Sequence, residues 1–297
     1  MNSTLLTHED DLRLQILLAE GVQAVRIDLS RQTLVALTER GEASLRLRPQ
    51  GRPDSYWRQV REVLSGHALN SPGGYPVYLE RWTRMGQASA RSLDALLCLG
   101  EPEAVMAVAH APSLTPEQAR RAWWAYPGSE TARAMLAHAA IRADAVGVTL
   151  AEHLLEFLPF ESDVVLALTS ARAILSAKWL PADAQQSLWH TACAKPHLLV
   201  SFIEQVPQDL PTRLGRPQDQ ALIEVALQVL ERPGIPEAVT LLQTQLDRQL
   251  GPGRWSGVDL LAPLGHARVV GTLLRRKLAP TLEPLIAELQ SMRRAPD

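Results

Sequence analysis

The residues best suited to chemistry gather early in the chain, in the run from Leu64 to Gln87. His67, Asn70 and Ser71 stand close to the pair Gly73-Gly74. An imidazole that titrates near neutrality can give or take a proton, and glycines let backbone N–H groups approach an anion. Tyr75 follows, and beyond it Arg81 and Arg84 lie three apart on a predicted helix over 77–86, whose apolar line is Tyr78, Trp82 and Met85. Arginine with tryptophan is the composition of binding hot spots. A plainer reading accounts for the same residues. Gly66 caps a helix, Pro72-Gly73-Gly74 makes a turn with at least one glycine at positive φ, and Tyr75-Pro76 opens the next helix. Glu80 and Arg84 then form an ordinary i,i+4 pair. The glycine spacing matches neither a P-loop nor a dinucleotide fingerprint, because the strand-turn-helix context is missing. The structural reading is preferred, with His67, Asn70, Gly73, Gly74, Tyr75, Arg81, Trp82 and Arg84 kept as candidate interaction or ligand residues.

Two further clusters invite the same weighing. Glu152, His153 and Glu156 place carboxylates and an imidazole one turn apart. Bundle di-metal sites use Glu then His three later, in two copies, so an exposed helix face is the better reading. Arg275, Arg276 and Lys277, with Arg268, make the densest basic patch. It is expected at a helix C-terminus, where cations are favoured and Ala279-Pro280 stops the turn. Cys98 and Cys193 are the only cysteines, with no CxxC and no histidine at ligand spacing, which argues against a disulfide scaffold or a zinc site. No GxSxG, HExxH or paired Cys-His motif occurs, so neither a catalytic set nor a cofactor or metal is expected.

The elements that would position these residues fall into two kinds. Thr7 is an N-cap with Glu9, Asp10 and Asp11 in the first turn, and Leu12, Ile16 and Leu17 recur at helical spacing up to Gly21. The period then changes to two. Val25, Ile27 and Leu29 alternate with polar residues, 33–38 follows, and Leu45 and Leu47 alternate again, which predicts a three-stranded antiparallel meander. Helix 54–65 carries Tyr56, Val60, Val63 and Leu64 on one stripe. Two helices would cover one face of the sheet and leave Arg26, Arg46 and Arg48 outward. From residue 91 the strand signals vanish. Helices are expected near 91–99, 102–110, 116–126, 129–141, 149–158, 162–176, 181–194, 197–205, 218–231, 236–250, 266–278 and 281–293, mostly divided by Pro or Gly. Leu114–Trp124 echoes Trp179–Trp189, with Pro116/Pro181, Ala119/Ala184 and Trp124/Trp189 in register, as a repeated hairpin would require. The expected fold is therefore α+β and mostly α. A small helix–three-strand–helix unit spans 1–66, a Gly/Pro-aromatic joint 67–90, and an all-helical, repeat-like hairpin array 91–297.

Length and composition agree with a folded chain of more than one domain. The chain has 297 residues, of which 46% are apolar and 21% charged. The net charge of −2 provides no global field to recruit nucleic acid or an anionic membrane. The N-terminus lacks the basic and apolar regions of a signal peptide, and no apolar run approaches the ~18 residues of a membrane span. A reducing cytoplasm is the expected compartment.

Several stretches resemble the DsrS family of sulfur-reduction proteins, found with the dissimilatory sulfite reductase genes of sulfur-oxidising bacteria. They are Asp11–Ala19, Gln23–Asp28, Gln59–His67, Ser71–Tyr78 with Arg81–Gln87, Leu99–Val105, Ala119–Trp124 and Glu156–Glu161. The likeness is good over roughly 1–165 and loose over the remainder. The resemblance implies a cytoplasmic accessory of stored-sulfur oxidation, with no catalytic residues to carry over. Together with the helical pattern it makes a non-enzymatic protein acting through a protein partner of that pathway the leading expectation. The alternatives are an RNA-binding regulator, using Arg26/Arg46/Arg48 or Arg275–Lys277, and an enzyme built around His67.

Overall fold

The computed structural model describes residues 6–49, 51–70, 90–177, 180–208, 210, 218–251, 255, 257–265 and 267–294. It divides into two compact units, 1–146 and 147–297. The first unit holds the small sheet and carries on through the first six helices after it. The division therefore falls at 146/147, beyond the 67–90 stretch.

Thr7 starts helix α1 (His8–Leu18), its hydroxyl accepting from the Asp10 N–H at 3.1 Å. Strands β1 (Ala24–Asp28), β2 (Thr33–Thr38) and β3 (Gly41–Arg46) form an antiparallel meander in the order β1-β2-β3. Val25 faces Ala36 and Ile27 faces Leu34 across one pair; Leu34 faces Leu45 and Ala36 faces Ala43 across the other. Because side chains alternate, this register gathers the apolar set on one face. Turn chemistry fixes it. Asp28 Oδ1 accepts from the Ser30 hydroxyl at 2.6 Å and the Arg31 N–H at 3.0 Å. Gln32 takes a left-handed backbone in the same turn, with φ 53. At the second turn Thr38 donates to the Gly41 carbonyl at 2.9 Å.

Helix α2 (Pro53–Leu69) and α1 cover that face, closing a core of Leu14, Leu17, Leu18, Val25, Leu34, Leu47, Tyr56, Trp57, Val60 and Leu64. Two details differ from the sequence reading. In α1 the buried stripe is Leu14, Leu17 and Leu18, while Leu12 and Ile16 are 53% and 57% exposed. Both sets have helical spacing; the sheet selects one of them. The buried stripe also draws in Asp10, which accepts the Tyr56 hydroxyl at 2.7 Å and the Arg48 N–H at 3.3 Å. A carboxylate expected only to favour the helix dipole thus pins α1, α2 and the exit from β3 together. The second correction concerns Gly66. Helix α2 runs through it to Leu69, and Asn70, with φ 50, makes the left-handed C-cap. Asparagine tolerates that conformation better than most residues with a side chain.

The unit continues with α3 (Ala90–Leu97), α4 (Pro102–Ala109), α5 (Pro116–Ala125), α6 (Ser129–Leu136) and α7 (Ala139–Arg142), each packed on the next or next but one. The single helix expected over 129–141 is two, broken at Ala137–His138. Thr115 and Gln118 form a reciprocal capping box at the start of α5. Helix α5 packs against β1 on the other face of the sheet. There Trp124 donates to Glu42 at 2.6 Å and lies 4.7 Å from the Arg26 guanidinium, which itself pairs with Glu42 at 3.2 Å. Arg26 is therefore partly covered, whereas Arg46 and Arg48 are exposed.

The second unit is helical throughout its described residues: α8 (Ala145–Phe157, starting at the division), a 3-10 turn (Leu158–Phe160), α9 (Val164–Ser176), α10 (Ala182–Ala194), α11 (Leu199–Gln205), α12 (Gln218–Glu231), α13 (Pro236–Leu250) and α14 (Gly271–Arg294). Helix α11 sits at its centre, packed against α9, α10, α12 and α13. Leu199, Val200, Ser201, Phe202 and Ile203 are all buried, the pattern of a helix surrounded on every side. Trp189 stacks edge-on against Phe202 with centroids 4.9 Å apart. Its sequence counterpart Trp124 lies instead on the sheet, so the two echo segments do not share packing.

Helix α14 overturns another expectation. It is one helix of 24 residues with Pro280 and Pro284 inside, not two helices parted at Pro280. Each proline removes one intrahelical bond. The continuous buried stripe of Leu274, Leu278, Leu282, Leu285 and Leu289 carries the helix across both.

Candidate functional site

Of the candidates in the 64–87 run, His67 and Asn70 lie among the described residues. Gly73, Gly74, Tyr75, Arg81, Trp82 and Arg84 lie outside them, together with the joint expected there. Asn70 serves as the cap of α2, a structural role. His67, in the last turn of α2, borders a cavity of about 330 Å³ lined by Val22, Gln23, Ala68, Asp94, Cys98 and Arg121 among others.

The chemistry of that cavity is largely engaged. Cys98 is buried, and its thiol donates to the Val22 carbonyl at 3.4 Å and the Asp94 carbonyl at 3.6 Å. Burial, seconded by the Asp94 charge, pushes the thiol up to about 12. It therefore stays protonated at neutral pH and is a poor nucleophile. Arg121 pairs with Glu117 at 2.8 Å and lies 3.7 Å from Asp94, which also accepts from the Gln118 amide at 3.1 Å. The Arg121 Nε is buried without a hydrogen-bond partner. His67 stands exposed at the rim. Asp94, Cys98 and Arg121 were not identified from sequence, because they reach His67 only through the packing of α3 and α5 beside α2.

In the second unit the Glu152–His153–Glu156 face is a helix surface, as expected for ordinary polar positions. Glu152 and Glu156 are exposed, and His153 packs its ring on Phe157 at 4.5 Å. Burial lowers the His153 pKa, against a smaller opposing effect of Glu156. Among the described residues no group of three or more His, Cys, Asp or Glu is arranged to hold a metal ion.

One feature escapes the sequence reading altogether. Phe157, Phe160, Val165 and Leu166 are all exposed, Phe160 at 81%, on the turn between α8 and α9. The 3-10 turn packs back on α9, and its Leu158 is buried, so the chain is well held while its phenylalanines face outward. Asp163 fixes the far side by accepting from the Val165 and Leu166 N–H groups at 2.8 and 3.1 Å. Isolated exposed apolar residues need no explanation, but two phenylalanines and two aliphatics within ten positions make this turn a candidate interaction surface.

The basic patch is also placed differently. Arg275, Arg276 and Lys277 are exposed near the start of α14, not at a helix C-terminus. Val270 and Leu273 are exposed beside them, 59% and 54%.

No protein-family model, curated protein or solved structure matches this chain.

Proposed function

We propose that this protein is a non-enzymatic cytoplasmic accessory of sulfur oxidation, acting by docking a protein partner of that pathway on the exposed turn 157–166. The pathway and compartment rest on the resemblance to DsrS. The docking surface rests on one observation, the four exposed apolar side chains carried by a well-anchored turn. Glu156–Glu161 belongs to the stretches that carry the resemblance, which joins the two arguments. No helix among the described residues is long and apolar enough to cross a membrane.

Affinity purification from the cytoplasm of sulfur-oxidising cells, with bound proteins and RNA both identified, tests the reading. Wild-type chain should retain a sulfur-pathway protein that Phe160→Asp loses while keeping its melting temperature. Equal recovery by both baits refutes the surface, and recovery of RNA alone refutes the function.

Chemistry at His67 is a second reading, favoured by the cavity that brings it beside Asp94, Cys98 and Arg121. Full in-cell sulfur oxidation by His67→Ala removes it.

A further inference from the structure

The exposed turn carries charge as well as apolar surface. Glu152, Glu156, Glu161 and Asp163 lie close to Phe157, Phe160, Val165 and Leu166 along the chain, and no lysine or arginine occurs between Arg142 and Arg172. A surface that fits it must offer apolar side chains among cations. The start of α14, in the same unit, has that composition. Val270 and Leu273 are exposed, and Arg268, Arg275, Arg276 and Lys277 are exposed around them, with no acidic residue between Asp259 and Glu283. Leu273 shares a helix face with Arg276 and Lys277, which lie three and four positions on. Four acidic groups on one surface answer four basic groups on the other. Glu152, Glu156, Arg268, Arg275, Arg276 and Lys277 make no ion pair among the described residues.

We infer that the turn 157–166 of one copy docks on the start of α14 of a second copy, giving a reversible head-to-tail self-association. The inference rests on the reading of that turn as a docking surface, and it adds the occupant present when no pathway partner is bound. A pathway protein would then compete with a second copy for the same turn. The contact is heterologous, because two different patches meet, so a pair keeps one free surface of each kind between its two copies. Apolar side chains supply attraction that persists in salt. The opposed charges supply specificity and a salt-dependent share, because screening shortens the electrostatic reach from about 10 Å at 0.1 M to about 3 Å at 1 M.

The full chain, followed by sedimentation velocity up to about 100 µM, tests this, since micromolar association populates assemblies in that range. At low salt the wild-type mass should rise with concentration, and about 1 M salt should weaken association about tenfold. Phe160→Asp and Leu273→Asp, both at exposed positions, should each remain monomeric with unchanged circular dichroism. Mixed in equal amounts they should form a one-to-one pair that grows no further, because each retains the surface the other lacks. Glu156→Lys should weaken association, and combining it with Arg276→Glu should restore part of it. A wild-type chain that stays monomeric at low salt overturns the inference, as does a mixture that fails to pair. Capture of the α14 surface by a single-stranded RNA or by anionic phospholipid vesicles, lost in Arg276→Glu, would also overturn it if self-association were unaffected by that substitution. Loss of the pathway partner in Phe160→Asp is scored separately, so the docking reading can stand where self-association fails.

Discussion

The two compact units differ in where their exposed apolar and charged groups gather. In the first, polar side chains are turned toward one another. Asp10 meets Tyr56, Cys98 meets two carbonyls, Arg121 meets Glu117, and Trp124 with Arg26 meets Glu42. In the second, Arg172 pairs with Glu204 and Trp255 donates to Glu288, while Phe160, Leu273 and the charges near them face outward. A unit whose polar groups satisfy each other gains stability and offers a partner little. A unit that leaves apolar and charged groups on anchored backbone holds its unsatisfied interactions where a partner can reach them. On the function proposed above, association falls to the exposed turn of the second unit.

Substitutions can break either half of that contrast. Asp10→Ala should have the largest effect, about 3–4 kcal/mol, because it leaves the Tyr56 hydroxyl and the Arg48 N–H without their buried acceptor. Urea unfolding of Asp10→Ala beside Tyr56→Phe measures it; Tyr56→Phe, which removes the donor as well as its need, should cost less than half as much. A loss below about 1 kcal/mol in Asp10→Ala would show that inward pairing is not what holds the first unit.

Gly234→Ala comes next, at about 2–3 kcal/mol. Gly234 sits in the left-handed region with φ 70, and its carbonyl accepts from the Gly271 N–H at 2.7 Å. An added Cβ would come within 2.7 Å of the His197 ring. His197 itself gives a pH test. Burial, with a smaller effect from Lys195, pushes it down to about 4 from an ordinary 6.5. Between those values the unfolded chain takes up a proton that the folded chain does not, so stability falls as pH drops from about 6.5 toward 4 and is unaffected by His197 above that window. The expected loss is on the order of 1 kcal/mol, allowing for solvent screening. His197→Phe should flatten that part of the melting profile, and an unchanged slope would contradict the burial of this ring. Pro280→Ala should raise stability by up to about 1 kcal/mol, since it restores a donor for the Arg276 carbonyl within α14.

Much of the architecture could be read in the residues, for reasons that also explain what could not. The period-two run from Val25 to Leu47 and its Asp28 and Thr38 turns are local signals, and the meander follows from them. The mostly helical remainder follows from spacing in the same way. Choice of face was not legible in α1, because Leu12–Ile16 and Leu14–Leu18 have equal claims until the sheet selects between them. Gly66 and Pro280 are helix breakers by propensity, yet α2 runs past Gly66 to its Asn70 cap and a buried leucine stripe carries α14 past Pro280. The site was less legible still. His67 stood out by type, but Asp94, Cys98 and Arg121 join it only in three dimensions. Phe160 was hidden for the opposite reason, since a phenylalanine in Leu-Pro-Phe reads as core. Its exposure depends on Leu158 taking the buried place on the turn.

Phe160→Asp should leave stability within about 0.5 kcal/mol, the smallest effect of the set, as expected of an exposed position. That makes it the direct test of the contrast between the units. Sulfur oxidation would be measured in cells whose own copy of the chain carries Phe160→Asp, beside cells carrying His67→Ala. Both proteins should melt with the wild type and accumulate to the same level. The account predicts that Phe160→Asp cells lose sulfur oxidation while His67→Ala cells keep it. Normal oxidation with Phe160→Asp, together with its loss in His67→Ala, would place the function at the first unit's cavity and contradict the account.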